Sequence, residues 1–204
     1  MKAAGARRAL AFAVAALFAL VALFCVVYRP WQVHWGATDE EIARRMAGDR
    51  IVEDPTFNAT RAVTVDALPE EMWPWIVQIG YRRAGFYSWD ILDNGGIASA
   101  ERIVPEYQGL EVGDAVPLSA HSNAIVTEMD PPRHLLLVFR SDTPATWAWG
   151  LYPIDSGHTR LVTRLRVRTE RPTTRLMLRT FEIVMMRKHL LGIKHRAERL
   201  AQEP

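Results

Sequence analysis

The chain has 204 residues, of which 49% are hydrophobic and 24% are charged. This balance excludes a disordered or low-complexity chain, and the length favours one folded domain with a short additional segment. The single cysteine, Cys25, lies within an apolar run, which excludes a disulfide or a cysteine metal site in the folded part.

The formal net charge is +2, but it is unevenly distributed along the chain. Four basic residues precede position 31, which leaves 21 basic against 23 acidic residues in the rest of the chain. This balance argues against a general nucleic-acid-binding protein. Residues 158–204 carry 12 basic and 4 acidic residues, so the C-terminal quarter is the basic part of the domain.

The first elements are an apolar helix and its flanks. Residues 9–28 contain no charge, and twenty helical residues span about 30 Å, the hydrocarbon thickness of a bilayer. A cleaved signal peptide is the alternative, but its apolar region is usually shorter and no small-residue cleavage site precedes Arg29. We therefore predict an uncleaved membrane anchor, with Trp31 and Trp35 in the interfacial aromatic belt.

The basic residues around this helix predict its orientation. Lys2, Arg7 and Arg8 precede it, whereas Arg29 is the only base on the far side before Arg44. The excess of positive charge favours a cytoplasmic N-terminus. We expect a single-pass protein of the cell membrane whose folded domain is extracytoplasmic.

A short neck follows the anchor. Thr38 precedes Asp39, Glu40 and Glu41, which is typical of a capped helix start with acidic residues in the first turn. A neck helix is therefore predicted to end near Gly48. The resulting division is a cytoplasmic tail and anchor over 1–30, a neck over 31–56 and a folded domain over 57–204.

The folded domain begins with an alternating strand from Ala59 that passes into a helix started by Pro69 and ended by Gly80. Pro74 removes one backbone donor, so this helix either bends in its first turn or begins at that residue. A second short helix is expected over 88–94, capped by Ser88.

Short strands separated by turn sequences follow, which indicates an antiparallel meander. They are expected near 114–118, 123–130, 134–140, 146–154 and 159–169. The last strand alternates, with four arginines on one face, and we expect that face to be the solvated side of the sheet. These are Arg160, Arg164, Arg166 and Arg168.

The chain closes with one long helix predicted over 173–201. Apolar residues three and four apart form a continuous stripe that faces the core. Its first half is apolar almost all round, so we expect it to be covered on more than one side, and Gly192 permits a bend or a close approach.

The order of these elements and two local stretches resemble the START-like helix-grip superfamily, also called SRPBCC or polyketide-cyclase-like. The stretches are ATRAVTVDALPEEMWPWIVQIGYRRAGFYSWD and SAERIVPEYQGLEVGDAVPL, and the resemblance covers about residues 57–200. It implies an α+β fold in which a curved antiparallel sheet grips a long C-terminal helix, with two short helices after the first strand. It also implies a cavity between sheet and helix for a lipid or another hydrophobic small molecule.

The aromatic and methionine side chains are the candidates for that cavity. Three rings of the second-helix region would line or gate its mouth, and two tryptophans share one face of a strand, where they contact a ligand or belong to the core. The final helix adds an aromatic ring and an adaptable methionine. The candidate ligand-binding residues are Phe86, Tyr87, Trp89, Trp147, Trp149, Phe181 and Met185.

The alternative is a polyketide cyclase or dehydratase-like enzyme acting on an apolar substrate. Asp90, Glu106, Tyr87 and Arg82 are its candidates for proton transfer, although catalytic residues stay unassigned. Asp90 also pairs with Asp93 on one helical face, where a solvated face is the commoner explanation. A third class is an adaptor whose exposed tryptophans bind another membrane protein.

Cofactor sites are not expected. The six histidines lack metal-ligand spacing, and glycine-rich phosphate loops and nucleophile-elbow motifs are absent. We therefore predict no metal, no cofactor and no nucleic-acid partner. The expected partners are the membrane and a hydrophobic small molecule, and the sequence identifies no protein partner.

Overall fold

The computed structural model describes residues 2–202, and before Phe12 it describes only the side chain of Leu10. The side chains of Lys2, Arg7 and Arg8, on which the predicted orientation depends, lie outside the described part. Helix α1 (Lys2–Leu23) continues through a π-helical turn (Phe24–Tyr28) into α2 (Arg29–His34).

The stretch Phe12–His34 is long and apolar enough to cross a membrane, with a mean hydropathy of 2.3 over an unburied window. By length and composition it is one candidate span near the N-terminus, and a signal sequence would pass the same test. The predicted apolar helix is therefore present and uncovered.

The rest of the chain forms a single antiparallel sheet and its covering helices. The sheet has the order β1-β6-β5-β4-β3-β2, so that every neighbouring pair except β1 and β6 is consecutive in the chain. The elements are β1 (Phe57–Val65), α4 (Pro69–Val77), α5 (Asp90–Asp93), a 3-10 turn (Pro105–Tyr107), β2 (Ala115–Ser119), β3 (Ser122–Asp130), β4 (His134–Phe139), β5 (Ala145–Pro153), β6 (Thr159–Val167), α6 (Pro172–Thr180) and α7 (Glu182–Ala201).

The first strand joins the end of the meander. Nine residues of β1 pair with nine residues of β6, from Phe57 opposite Val167 to Val65 opposite Thr159. The buried apolar residues of α7 form the stripe that faces the core: Ile183, Met186, Leu190, Ile193 and Ala197. The sheet therefore grips the final helix, and the predicted α+β helix-grip fold is confirmed.

The expected single C-terminal helix is wrong, because the chain breaks at Phe181 into α6 and α7. The prediction that its first half would be covered is wrong for α6, which has no buried residue, although Ile183 and Met186 at the start of α7 are buried. Leu176, Met177 and Phe181 expose 62%, 61% and 65% of their surface. These three apolar side chains therefore lie on an exposed surface of the domain.

The other helices differ from their predictions in detail. α4 begins at Pro69 and contains Pro74, but it ends at Val77, before Gly80. Ser88 does not cap α5; it is buried, and its hydroxyl donates to the Met185 carbonyl at 3.0 Å. Ser88 thus joins the second-helix region to α7.

The neck packs against the domain. α3 (Asp39–Ala43) has the predicted capping box at Thr38, but it ends five residues before Gly48. The edge of β1 is covered here, because the amide of Ala62 donates to the carbonyl of Trp35 at 3.2 Å. This contact pairs an edge strand that would otherwise be open.

The expected solvated arginine face of β6 is wrong for three of its four members. Arg164 exposes 4% of its side chain, and its guanidinium donates to Asp49 and to the carbonyls of Glu41 and Ile42. Arg160 binds Glu41 with an N–O distance of 2.6 Å, and Arg166 is held in the same way by Asp49 and neck carbonyls. The neck covers this face of the sheet.

Candidate functional site

A cavity of about 370 Å³ lies between the sheet and the C-terminal helices. Its volume is within the usual range of ligand pockets, about 300 to 1,000 Å³. The wall is mostly apolar and reaches the surface at exposed Ser141. It is lined by Phe86, Ser88, Asp93, Leu118, Phe139, Ser141, Thr143, Ala145, Trp147, Leu165, Val167, Thr174, Leu178, Glu182, Met185, Met186 and His189.

Two aromatic rings form one part of this wall. Phe86 stacks on Trp147 with ring centroids 6.1 Å apart and planes at 24°. Residues two apart on a strand share one face, so Trp149 lies beside Trp147 with a centroid distance of 4.2 Å. The indole of Trp147 donates to the Thr163 hydroxyl at 2.8 Å, which fixes the orientation of the ring. The wall is therefore pre-formed.

A neutral histidine lies behind the rings. His189 donates from Nδ1 to the carbonyl of Phe86 at 2.6 Å, and its Nε2 accepts from the indole of Trp149 at 3.1 Å. Burial lowers the pKa of His189 to about 4, because the imidazolium would lose its hydration. Both ring nitrogens are satisfied only in the neutral form, so this residue holds the wall together.

A buried ion pair closes the end of the cavity near α2. Glu182 accepts two bonds from the guanidinium of Arg61, at 2.8 and 2.5 Å. The Nε of Arg61 donates to the carbonyl of Gln32 at 2.8 Å. Burial raises the pKa of Glu182, and the charge of Arg61 opposes that rise. The pair joins β1, α2 and α7 in one polar contact.

One acidic group in the wall has an unpartnered oxygen. The Oδ1 of Asp93 is buried and makes no hydrogen bond within the part of the chain that the structure describes. Burial, together with a smaller contribution from the charge of Asp90, raises the pKa of Asp93 to about 6. A neutral carboxyl can donate as well as accept a hydrogen bond, so Asp93 suits a polar group on an otherwise apolar guest.

The seven candidate ligand-binding residues fall into three groups. Phe86, Trp147 and Met185 line the cavity. Trp149 and Tyr87 are buried behind the wall, and the hydroxyl of Tyr87 donates to the carbonyl of Trp75 at 3.0 Å.

The other two candidates are outside the wall. Trp89 exposes 47% and Phe181 65% of their surface, and neither lines the cavity. Trp89 instead carries the ammonium of Lys188 over its ring, 3.8 Å from the centroid. These residues belong to the outer surface of the domain.

The four candidate acid–base residues do not line the cavity. Asp90 accepts a hydrogen bond from Ser99 at 2.5 Å, and Glu106 lies exposed in the 3-10 turn. Arg82 is exposed with its guanidinium over the ring of Tyr81. Burial raises the pKa of Tyr87, which keeps its phenol neutral.

Sequence reasoning missed two of the residues that line the cavity, His189 and Glu182. His189 falls within the apolar stripe of α7, next to Leu190 and three residues after Met186, which is the one signal that it is buried. Glu182 gives no such signal, because its partner Arg61 is 121 residues away along the chain. Among residues 2–202, no group of three histidine, cysteine, aspartate or glutamate side chains is placed to hold a metal ion.

No protein-family model matches the sequence, and none of the curated proteins compared with it does. The topology of the chain itself is that of a helix-grip fold. Solved structures of similar topology include a START superfamily protein from Mycobacterium smegmatis, with 11% identity, a TM-score of 0.48, and coverage of 70% of this chain and 98% of that one.

Two further similar structures carry other descriptions. The Aha1 dimer from Colwellia psychrerythraea has 12% identity and a TM-score of 0.44, covering 70% of this chain and 97% of that one. An HSP90 activator from Plasmodium falciparum has 15% identity and a TM-score of 0.41, covering 57% and 77%. Structural similarity at this level says nothing about the ligand or the activity of this chain. The fold assignment therefore rests on the chain's own topology.

Proposed function

We propose that this chain is a membrane-tethered member of the START-like superfamily that binds a lipid or another hydrophobic small molecule in the cavity between its sheet and its C-terminal helices. The observation that carries the proposal is the apolar cavity of about 370 Å³. Residues 1–30 are the cytoplasmic tail and anchor, 31–56 the neck and 57–204 the binding domain, which lies outside the cytoplasm.

The contact between the anchor and α6 supports this arrangement. The hydroxyl of Tyr28 donates to the carbonyl of Thr180 at 2.6 Å, and Gln32 donates to the carbonyl of Leu178 at 2.7 Å. Leu178 itself lines the cavity. The end of the candidate span is therefore bonded to a helix that forms the cavity wall, which holds the cavity close to the membrane surface.

The exposed apolar residues near the cavity mouth support an opening towards the bilayer. On α5, Ile91 and Leu92 expose 85% and 72% of their surface, and they precede Asp93 in the wall. On α6, Leu176 and Met177 are similarly exposed. Apolar side chains clustered in this way on a soluble surface mark an interaction site. Transfer of these apolar side chains from water into lipid is favourable, so contact with the bilayer lowers their free energy.

Binding is favoured over turnover because none of the four candidate acid–base side chains lines the cavity. The polar groups that do line it are mostly satisfied within the protein, as at His189 and Glu182. An enzyme needs a group within hydrogen-bond reach of the reacting atom. Asp93 is the exception, and it suits recognition of a polar end group.

The proposal is tested by native mass spectrometry of the full-length chain purified from its membrane. We expect one apolar molecule to remain bound. Met185→Trp, which adds an indole inside the cavity, should remove it, because the added volume occupies the site. The matched change Met177→Trp, on an exposed methionine outside the cavity, should leave it bound.

Two results would contradict binding in the cavity. One is the absence of any bound apolar molecule, and the other is equal retention by the two tryptophan variants. A bound molecule that is chemically altered during incubation would instead favour the cyclase-like alternative.

A further inference from the structure

A second groove, of about 390 Å³, lies on the opposite side of α7 from the cavity. Three aromatic rings at the end of the anchor and beside α5 form its walls, and no residue lines both sites. It is lined by Tyr28, Trp31, Trp89, Ile183, Val184, Arg187, Lys188 and Leu191. The groove therefore begins where the candidate membrane span ends.

The groove carries two exposed cations with no carboxylate partner. Lys188 lies over the ring of Trp89, and Arg187 lies over the ring of Trp35 with its guanidinium carbon 5.2 Å from the centroid. Neither forms a salt bridge to any described residue. Both side chains are thus held at the groove by aromatic rings, with their hydrogen-bond donors free.

Two more arginines beside the same helix end lack an acidic partner in the described part of the chain. Arg29 lies within electrostatic reach of Arg179, and the two repel each other. The Nη1 of Arg29 is buried and makes no hydrogen bond among residues 2–202. A buried guanidinium donor without a partner is costly, so a negatively charged group from outside the chain fits this position.

Three arginines of strands β1 and β6 are instead paired with acidic residues. Arg61, Arg160 and Arg164 each bind a carboxylate at 2.5 to 2.8 Å. The four cations beside this helix end therefore differ from these three arginines in having no carboxylate partner among the described residues.

We propose that this groove binds the headgroup of an anionic phospholipid from the leaflet next to the domain. The cations Arg187 and Lys188 contact the phosphate, and the apolar side chains of Val184 and Leu191 contact the first carbons of the acyl chains. Arg29 and Arg179 add positive charge at the same depth. The proposal rests on the membrane anchoring in the proposed function and is independent of the cavity.

A phospholipid is a better occupant than a free anion for two reasons. The groove walls are rings and aliphatic side chains, which gain free energy only from an apolar partner. Tyr28 and Trp31 are part of the candidate span Phe12–His34, which would place the groove at headgroup level. Clustered basic residues at that level attract anionic lipids.

The test is a lipid titration of the full-length chain in detergent, followed by native mass spectrometry. Phosphatidylglycerol and phosphatidylcholine with identical acyl chains are the two probes. We expect the chain to retain phosphatidylglycerol preferentially. Each basic residue near an anionic lipid contributes about fivefold, so Arg187→Gln with Lys188→Gln should reduce that preference about 25-fold.

The matched control is Arg50→Gln with Arg133→Gln, which removes the same charge from two exposed arginines outside the groove and should leave the preference unchanged. Equal retention of both lipids, an unchanged preference in the groove variant, or displacement of the lipid by excess inorganic phosphate would overturn the proposal.

The same spectra separate this proposal from the cavity. Met185→Trp should lose the apolar cavity molecule while keeping its preference for phosphatidylglycerol. A chain that holds the cavity molecule but shows no lipid preference leaves the proposed function intact and rejects the groove. The retained cavity molecule also reports that the groove variant has folded.

Discussion

His189 connects three elements of the domain through its two ring nitrogens, which bind the carbonyl of Phe86 and the indole of Trp149. Its pKa is about 4 in the folded protein against 6.5 ordinarily, so the unfolded chain binds the proton more readily. The free energy of unfolding should therefore fall as pH drops from about 6.5 to about 4, by about 3 kcal/mol.

Chemical denaturation of residues 31–204 at pH 7 and pH 4 measures this loss. His189→Gln keeps a donor and an acceptor but does not titrate, so its pH-dependent loss should be smaller by that amount. The difference between the two proteins is the relevant quantity, because the raised pKa values of Asp93 and Glu182 act in the opposite direction. Parallel losses in both proteins would show that His189 is not the cause.

Asp93 should make ligand binding depend on pH. Its pKa is raised to about 6 by burial, and Oδ1 has no partner among the described residues. Below that pH the carboxyl is neutral, and above it a charge forms in an apolar wall. The affinity for an uncharged apolar probe should thus fall as pH rises through about 6.

Fluorescence titration with such a probe between pH 5 and 8 measures the effect. Asp93→Asn should bind with little change across that range, whereas Glu106→Gln, on an exposed carboxylate outside the cavity, should behave like the parent. A pH profile that survives Asp93→Asn would assign the effect to another group.

At the scale of elements, the neck and β6 are held together by a row of arginines. Arg164 is almost fully buried and joins Asp49 to two carbonyls of the neck. Arg164→Met should lower the free energy of unfolding by about 3 to 5 kcal/mol, because Asp49 keeps only the longer contact with Arg166 and three neck carbonyls lose their guanidinium donor. Urea denaturation gives the value.

Arg168→Met is the control for this change, since Arg168 lies just beyond the same strand and is exposed. It should alter stability by less than about 0.5 kcal/mol. Similar effects for the two substitutions would mean that the neck contributes little to the domain.

At the scale of the whole molecule, the neck behaves as part of the fold. It covers the edge of β1 through Trp35 and the outer face of β6 through Glu41 and Asp49. A fragment of residues 57–204 should therefore unfold or aggregate, while 31–204 should stay soluble and cooperative. Size-exclusion chromatography and thermal unfolding distinguish the two, and equal behaviour would contradict the assigned role of the neck.

Much of the fold follows from local patterns in the sequence. The strand alternation of β1 and the turns between β2 and β6 depend on residues close together in the chain, and the structure contains these strands within a few residues of their expected bounds. The apolar composition before Tyr28 likewise indicates a candidate membrane span without any tertiary information.

The tertiary structure decided which of the amphipathic surfaces are covered. Arg164 has the sequence pattern of a solvated face, and Leu176 that of a buried helix, yet the first is buried by the neck and the second is exposed. In the cavity wall, Glu182 also binds Arg61, which is 121 residues away in the chain. The periodicity of a segment determines which residues share a face. Whether that face is buried depends on contacts with segments far away in the chain, and the local sequence does not predict those contacts.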